Sequence, residues 1–259
     1  MSQKIALITG GSRGLGRNAA LKLAEKGVDV ILTYRSQKQA AESVVARIQA
    51  LGGRAVALAL DAGDSQGFSV FVTEVTHQLE KIWQRETFDY LFNNAGTALY
   101  APFMDTTEAQ FDQLVNIHFK GPFFLTQALL PLMADGGRIL NVSSGLARFS
   151  LPGSSAYAAV KGAMEVLTRY QAKELGARSI TVNILAPGAI ETDFGDGRVR
   201  DDATMNAFVA SQTALGRVGL PDDIGDAVAA LFSEGCRWVN GQRICLLYTS
   251  DAADEGLGV

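Results

Sequence analysis

Apolar and polar residues follow two alternating patterns along this chain. Short apolar runs predict strands, and longer amphipathic stretches predict helices. The strands are expected near Ile5–Thr9, Val28–Thr33, Ala55–Leu60, Tyr90–Phe92, Arg138–Val142, Thr181–Leu185 and Arg243–Leu247, and the helices near Leu15–Lys26, Lys38–Leu51, Gly67–Gln84, Glu108–Met133, Ala156–Leu175 and Asp222–Ser233. This order is typical of an α/β fold with a single doubly wound parallel sheet and helices on both faces. Ligands of such sheets bind beyond the carboxyl ends of the strands.

Two stretches depart from this regular pattern. Residues 189–216 are rich in Gly, Asp and Arg without strong periodicity, which indicates a mobile lid. Arg198, Arg200 and Arg217 either meet an anionic acyl carrier or are simply exposed, and exposure is the favoured interpretation. The predicted helix from Glu108 to Met133 is apolar on more faces than one sheet contact covers, which indicates an interface or a deeply buried central helix.

A glycine-rich turn joins the first predicted strand to the first predicted helix. Its sequence is Thr9-Gly10-Gly11-Ser12-Arg13-Gly14-Leu15-Gly16. Gly10 allows a tight turn, Gly14 lets the backbone approach a pyrophosphate, and Gly16 lets helix and strand pack closely, as in a Rossmann-type dinucleotide site. The absence of a following Gly-Lys-Ser/Thr disfavours a P-loop. A turn that needs glycines for its shape alone is the alternative.

The end of the second predicted strand bears on which dinucleotide is bound. NAD sites usually place an acidic residue about 20 residues beyond the glycines, whereas a 2′-phosphate needs positive charge. Here the stretch reads Thr33-Tyr34-Arg35-Ser36, and Arg13 in the glycine turn adds a second guanidinium. Arginine binds phosphate with two parallel hydrogen bonds, so the sequence predicts NADP(H). Two solvated surface arginines are the alternative.

Tyr157 and Lys161 are four residues apart, so they share one face of the helix predicted from Ala156 to Leu175. A phenol with a pKa of about 10 does little acid–base chemistry at neutral pH, but an adjacent ammonium favours the phenolate and lowers that pKa. The pair therefore fits general acid–base catalysis. A core-edge Tyr beside a solvated Lys is the alternative.

The motifs, taken in order, resemble those of short-form short-chain dehydrogenases/reductases, near the branch of the 3-oxoacyl-carrier-protein reductases. The resemblance runs from Lys4 to about Ile244 and includes the glycine turn, Asn93-Asn94-Ala95-Gly96, Ser143-Ser144 and Pro187-Gly188. It implies cofactor contacts at Gly10, Ser12, Arg13, Gly14, Leu15, Gly16, Tyr34, Arg35, Ser36, Asp61, Ala62, Asn93, Ala95, Gly96, Tyr157, Lys161, Pro187, Gly188, Ile190 and Thr192. For Asp61, a simple helix cap before Gly67 is the alternative.

The same resemblance implies four catalytic residues. Tyr157 exchanges a proton with the substrate oxygen, and Lys161 lowers the pKa of Tyr157 while binding the nicotinamide ribose. Ser144 donates a hydrogen bond to the substrate oxygen, and it is preferred to Ser143 because it lies thirteen positions before Tyr157. Asn116 helps hold a water molecule that links Lys161 to solvent, the alternative being an Asn bonded only to backbone.

The two histidines are not expected to act as acids. His77 lies in a predicted helix far from the strand ends, and His118 lies two residues beyond Asn116 and hence on another helix face. A charged or core-edge histidine is expected at each position.

Composition agrees with a cytoplasmic enzyme. The 259 residues carry a net charge of −4, so there is no basic footprint for nucleic acid. No apolar run reaches the roughly 18 residues of a membrane span, and the chain enters its first strand too early for a signal peptide. The two cysteines have no metal-like spacing, so no metal site is expected.

The sequence therefore predicts an oxidoreductase that transfers a hydride between NADP(H) and a carbonyl or secondary alcohol, with a 3-oxoacyl thioester as one candidate substrate. A non-catalytic NADP(H)-binding regulator of the same fold is the alternative, although such proteins usually lose the Tyr or the Lys. An epimerase or dehydratase of the same superfamily usually has a longer C-terminal domain. The resemblance also implies a dimer or tetramer formed through the helix around Phe123.

The C-terminus departs from the family pattern. Residues 1–244 are expected to form the cofactor-binding and catalytic domain, whereas residues 245–259 resemble a translated sequencing adapter rather than a family ending. The apolar residues 245–248 are able to complete the last strand. Residues 251–259 are small, acidic and aperiodic, so they are expected to be disordered.

Overall fold

The computed structural model describes residues 3–246, which contain one seven-stranded parallel sheet. The strands are β1 (Ile5–Ile8), β2 (Asp29–Tyr34), β3 (Ala55–Ala59), β4 (Phe88–Asn93), β5 (Met133–Val142), β6 (Thr181–Pro187) and β7 (Arg243–Leu246). Their order in the sheet is β3-β2-β1-β4-β5-β6-β7. The chain moves outward from β1 to β3 and then returns to the other side of β1 as β4. A crevice for ligands is expected at this reversal.

Helices cover both faces of the sheet. They are α1 (Gly14–Glu25), α2 (Lys38–Ala50), α3 (Phe68–Gln78), α4 (Glu108–Val115), α5 (Gly121–Leu129), α6 (Ser155–Glu174), α7 (Arg198–Asp201), α8 (Ala203–Gln212) and α9 (Pro221–Leu231). Two π-helical turns, Leu79–Trp83 and Asn116–Lys120, extend α3 and join α4 to α5. The predicted doubly wound α/β fold is confirmed.

The side chains of β1 show how the two cores form. Ala6 and Ile8 face a cluster that includes residues of α1, α2 and α9, whereas Ile5 and Leu7 face a cluster that includes residues of α3 and α5. All four side chains are completely buried. A strand buried on both faces must be apolar throughout, which explains why it appears in the sequence as a continuous apolar run.

The single helix expected from Glu108 to Met133 is wrong. The structure divides it into α4, the π turn Asn116–Lys120, α5 and a 3₁₀ turn at Leu130–Leu132. Pro122 has no N–H to continue the helical ladder, and the Ala62 carbonyl packs so closely on Gly121 that no Cβ would fit there. Met133 then begins β5, which is five residues longer at its start than expected.

The segment expected to be an aperiodic lid contains helices α7 and α8. Asp202 caps α8, because its side chain accepts hydrogen bonds from the N–H groups of Thr204 and Met205. Ile190 pairs with Gly219 in an isolated parallel bridge, which closes the base of the segment. Mobility of this segment stays a prediction.

The predictions for the C-terminus fall mainly outside the described residues. Cys245 and Leu246 lie in β7, as expected, whereas residues 247–259 and their expected disorder lie beyond the part of the chain that the structure describes. The domain boundary at residue 244 stays a prediction. Among residues 3–246, no helix combines the length and the apolar composition needed to cross a bilayer. The cytoplasmic location also stays a prediction.

Candidate active site

The glycine turn lies at the carboxyl end of β1, where the sheet order reverses. Gly10 and Gly14 have positive φ angles of 67° and 54°, in the region that favours glycine. A Cβ on Gly16 would collide with the Gly10 carbonyl oxygen, so only glycine allows α1 to start this close to the turn. The Gly10 and Gly11 N–H groups bond to the Thr33 hydroxyl at 3.1 Å and the Thr33 carbonyl at 2.8 Å.

Asn94 fastens the glycine turn to β4. Its side-chain amide donates to the carbonyl oxygens of Thr9 and Gly10 at 2.9 and 3.2 Å. In return, the Thr9 hydroxyl accepts hydrogen bonds from the N–H groups of Asn94 and Ala95, both at 2.9 Å. Four hydrogen bonds therefore join the glycine turn to the segment that follows β4.

The N-terminus of α1 suits an anionic ligand. Its N-cap residue, Arg13, forms no side-chain capping bond, and the first turn contains no acidic residue. The first N–H groups of a helix lack partners within the helix and lie at the positive end of its dipole. Ser12 is buried beside this turn, and Leu15 packs on the core. The donor set therefore fits the pyrophosphate of a dinucleotide.

Arg13 and Arg35 are exposed, and among residues 3–246 neither side chain makes a hydrogen bond or an ion pair. Arg35 directly follows Tyr34, the last residue of β2, and Ser36 beside it is also exposed. Strand β2 lies next to β1 in the sheet, and Gly11 packs on Leu32 of β2. Both guanidinium groups are therefore available to a 2′-phosphate near the glycine turn.

The residues expected around the adenine and the nicotinamide ribose have different surroundings. The Asp61 carboxylate is exposed and accepts from the Gly63 N–H at 2.9 Å, so it caps its own turn, and the Ala62 carbonyl packs on the helix at Gly121. The Asn93 side chain does not face the crevice, because it donates to Thr126 and Asn141 inside the core at 3.0 and 2.9 Å. A contact from Asn93 to a cofactor stays a prediction.

Segment 187–192 continues from β6 on the opposite side of the crevice. Pro187 is buried at the end of β6, Gly188 follows it, and Ile190 packs on the core. Thr192 is buried, and its side chain lies close enough to Gly14 that a Cβ there would be 3.8 Å from the Thr192 Cβ. The structure therefore brings this segment and the glycine turn to one site, as the sequence predicted.

Tyr157 and Lys161 lie together in the first half of α6. The Lys161 ammonium is 5.6 Å from the centre of the Tyr157 ring and donates to the Val142 carbonyl at 2.9 Å. Burial lowers the pKa of Lys161 to about 7. Burial also raises the pKa of Tyr157 above its usual value, which is opposite to the expected direction, because desolvation disfavours the charged phenolate. Tyr157 is therefore a neutral phenol with a proton to donate.

Ser144 follows β5 by two residues and lies on the same edge of the sheet as Tyr157. Its hydroxyl accepts a hydrogen bond from the Leu146 N–H at 3.2 Å, which leaves the hydroxyl proton available to a substrate oxygen. Ser143 is excluded from this role because its hydroxyl is buried and donates to Glu165 at 2.6 Å. The preference for Ser144 over Ser143 agrees with the geometry.

Glu165 fixes the turn that carries Ser144. Its buried carboxylate accepts from Ser143 and from Arg243 of β7, the latter at 2.7 Å, and Arg148 lies 3.5 Å away. Arg243 also donates to the Ser144 carbonyl at 3.3 Å. The last strand, α6 and the serine turn are thus joined by one charged network, which the sequence analysis missed because its members are far apart in the chain.

Asn116 is half-buried at the start of the π turn, and its carbonyl accepts from the Gly121 N–H. Among the described residues its side chain makes no hydrogen bond. A role for Asn116 in holding water stays a prediction.

His118, which the sequence analysis set aside, lies against the Tyr157 ring. The two rings meet edge to face with their centres 5.3 Å apart. Burial and the charge of Lys161 lower the pKa of His118 to about 3, so a charged histidine is wrong, whereas a buried neutral ring agrees with the expectation that His118 is not an acid.

Comparison with known proteins identifies the family. A family model described as enoyl-(acyl carrier protein) reductase matches residues 10–246. The chain belongs to the short-chain dehydrogenase/reductase family, as its motifs indicated. Within that family it is an oxidoreductase, and its sequence carries Ser144, Tyr157 and Lys161.

Its relatives include reductases of several kinds. Arp2 of Metarhizium brunneum (strain ARSEF 3297), a hydroxynaphthalene reductase-like protein, is 35% identical over 257 residues, which cover 95% of this chain and 94% of Arp2. The promiscuous reductase LugOII, which catalyses keto-reduction at C1 in lugdunomycin biosynthesis, superposes with a TM-score of 0.89 at 36% identity, covering 94% and 96% of the two chains. The landomycin C-6 ketoreductase LanV, solved with NADP and rabelomycin, gives a TM-score of 0.85 at 36% identity, with 94% of each chain covered.

Proposed function

We propose that this chain reduces a ketone carried by a bulky, flat ring system, with NADPH as its cofactor. The observation that carries the substrate assignment is the contact of Phe194 with the Tyr157 ring, whose centres are 6.3 Å apart. Phe194 is 49% exposed, so an apolar face continues from the proton donor toward solvent. The proposal combines this surface with the family's oxidoreductase chemistry.

NADP(H) is the cofactor of this family member. LanV, its structural relative, was solved with NADP bound. In this chain the uncapped N-terminus of α1 suits the pyrophosphate, and the unpaired Arg13 and Arg35 suit a 2′-phosphate. An acidic residue that would favour NAD does not follow β2, where the sequence reads Arg35-Ser36. The bound cofactor supplies the hydride.

We assign the proton transfer to Tyr157. Its neutral hydroxyl donates a proton to the substrate oxygen as negative charge develops there, and Ser144 donates a hydrogen bond to the same oxygen. Lys161, with a pKa of about 7, supplies an ammonium that attracts the resulting phenolate. The neutral phenol is the protonated form that carbonyl reduction requires, and the phenolate left behind accepts the proton in the reverse reaction.

Three further aromatic and apolar residues support a flat substrate. Tyr100 packs its ring on Gly153, and the Ala101 N–H donates to the Gly153 carbonyl at 2.9 Å, so the segment after β4 is held beside the loop before Tyr157. Phe103 and Met104 follow on the same segment and are 79% and 88% exposed. Aromatic rings gain most from stacking on flat aromatic ligands. Arp2 is named for a fused-ring aromatic compound.

A 3-oxoacyl thioester on an acyl carrier is the second candidate substrate, favoured by the family model's description. The arginines in and beside the predicted lid, Arg198, Arg200 and Arg217, give this candidate substrate limited support. Arg200 is paired with Asp193 and Asp201, and Arg217 makes two hydrogen bonds with Asp223 at 2.6 and 2.9 Å. An acidic carrier protein would compete with these internal carboxylates. Arg198 is exposed without such a pair among residues 3–246.

The proposal is tested by NADPH consumption on two matched panels, fused-ring aromatic ketones and 3-oxoacyl thioesters. We expect higher kcat/KM for the ring ketones, and we expect Phe194→Ala to lower kcat/KM for them more than for small acyclic ketones. Tyr157→Phe should bind NADPH normally and lose about 10²–10⁴-fold in kcat. A preference for thioesters, or equal losses with Phe194→Ala on both ketone classes, would contradict the assignment.

We also propose that a second copy of this chain covers the groove between α5 and α6. Phe123, Val166 and Tyr170 line this groove, and they are 38%, 45% and 63% exposed. Apolar surface in such a patch favours an interface. Light scattering should give the mass of a dimer or tetramer, and Tyr170→Glu should lower it. A monomeric mass for the unaltered protein would refute the proposal.

A further inference from the structure

We propose that His118 is a positioning residue for the proton transfer assigned to Tyr157. Its ring edge holds the phenol in place, and its Nδ1 accepts a hydrogen bond from a donor on the Lys161 side of that phenol when substrate and cofactor are bound. The inference rests on the proposed function, because it refines how Tyr157 acts.

The position of His118 is fixed by two neighbours. Its ring is 2% exposed and meets the Tyr157 ring edge to face. Gly96 is also close to the ring, because a Cβ there would be 2.7 Å from the His118 Cε1 and 3.3 Å from its Nδ1. A residue with any side chain at position 96 would therefore displace the imidazole that contacts Tyr157.

The hydrogen bonds of the ring identify which nitrogen is an acceptor. Nε2 lies 2.8 Å from the Thr97 carbonyl oxygen, and the Thr97 N–H is directed at the same nitrogen at 3.2 Å. The two contacts require opposite tautomers, and we assign the proton to Nε2 because the shorter contact is to an oxygen that can only accept. Nδ1 then carries a lone pair, and it is buried without a partner among the described residues. A buried acceptor without a partner costs about 1–3 kcal/mol, so its retention needs a reason.

The charged and titratable groups around this ring favour an acceptor role. On α6 they are Tyr157 and Lys161, and the segment after β4 presents only the backbone of Thr97 and the α-carbon of Gly96. Lys161 has one hydrogen bond, to Val142, so two of its three ammonium protons have no protein partner among the described residues. A neutral imidazole beside an ammonium offers a lone pair and adds no positive charge.

Three variants separate the two nitrogens of His118. His118→Asn places an amide at the Nδ1 position and loses the contact with Thr97. His118→Phe keeps the ring edge but has no acceptor, and it also loses Thr97. His118→Gln reaches toward Thr97 and lacks an acceptor at the Nδ1 position. His77→Phe is the matched control, because His77 is an exposed histidine of α3, away from the strand ends.

We expect His118→Asn to keep most of kcat, whereas His118→Phe and His118→Gln lose about 10-fold, as loss of one net hydrogen bond implies. KM for NADPH should change less than about 2-fold in all three, and His77→Phe should match the unaltered enzyme. Equal losses of kcat in His118→Asn and His118→Phe would show that only the Thr97 contact matters. Unaltered kcat in His118→Phe would show that no acceptor is needed. Either result overturns the proposal. If His118→Phe fails to fold, the other two variants still test the proposal. A kcat of His118→Gln equal to or above that of His118→Asn would overturn the proposal.

A second measurement does not depend on any substrate. Nitrogen-15 NMR, with His118→Asn to assign the signal, should find the neutral Nε2–H tautomer from pH 6 to 8. An Nδ1–H tautomer, or a charged ring in this range, would overturn the acceptor role even if no ketone in the panels is reduced. Failure of the proposed function and failure of the His118 assignment are thereby distinguished.

Discussion

Arg243→Leu is expected to destabilise the protein strongly, although Arg243 lies on the outermost strand. The Arg243 and Glu165 side chains are 18% and 8% exposed, and they form an ion pair of 2.7 Å. Removing one partner of a buried pair costs about 3–5 kcal/mol, because the other charge is left without its counter-ion. Arg148 remains 3.5 Å from the carboxylate but is half exposed, so the cost should fall near the lower end.

A loss of about 3 kcal/mol corresponds to a Tm decrease of about 6–12 °C for a chain of this size. Thermal unfolding at pH 7 should be measured for Arg243→Leu, Glu165→Leu and the double variant, with Arg237→Leu as an exposed control. The double variant should be more stable than the sum of the two single losses predicts, because neither charge is then left alone. A Tm decrease below about 2 °C in Arg243→Leu, or strictly additive losses, would refute the reasoning. Activity should fall as well, since Arg243 holds the Ser144 carbonyl.

Three further outcomes are expected. Arg35→Ala should raise KM for NADPH far more than for NADH, since a charged contact worth about 1.5–3 kcal/mol exists only with a 2′-phosphate; equal effects would exclude Arg35 as the discriminator. Gly16→Ala should weaken NADPH binding in a fluorescence titration, because its Cβ would overlap the Gly10 carbonyl, and unchanged affinity would contradict this. In the unaltered protein, Lys161 should make the free energy of unfolding increase between pH 7 and 10. This increase should be absent in Lys161→Met. The pKa of Lys161 is lowered to about 7 on folding, so in this range the unfolded chain binds a proton that the folded chain does not. An unchanged slope in urea titrations would contradict it.

The parts of the fold that were predictable depend on local sequence. Strand β1 is recognisable because burial on both faces requires four apolar residues in succession, and the glycine turn is recognisable because Gly10, Gly14 and Gly16 each meet a steric demand close in sequence. The order and the spacing of the catalytic motifs carried the family resemblance. These features can be recognised in the sequence without knowledge of long-range contacts.

What could not be predicted depends on contacts between distant residues. The close approach of the Ala62 carbonyl to Gly121 and the contact of the His118 ring with Tyr157 both join residues that are far apart in the chain. Asn93 has the residue type of a cofactor contact, yet its partners Thr126 and Asn141 draw it into the core. The pKa of Tyr157 depends on how deeply α6 is buried, which four-residue spacing does not reveal.

The hydrogen bonds between Asn94 and the glycine turn have a consequence for folding kinetics. Strand β1 pairs with β2 after one helix, but it pairs with β4 only when Ala6 meets Tyr90 across a long intervening chain. Closing that long loop is slow relative to the local steps. The dinucleotide site therefore does not exist in an intermediate made of β1–β3, because Asn94 has not yet arrived. Bound cofactor should consequently slow unfolding, because it stabilises only the native state. It should leave the refolding rate unchanged, because the intermediate has no site to bind it.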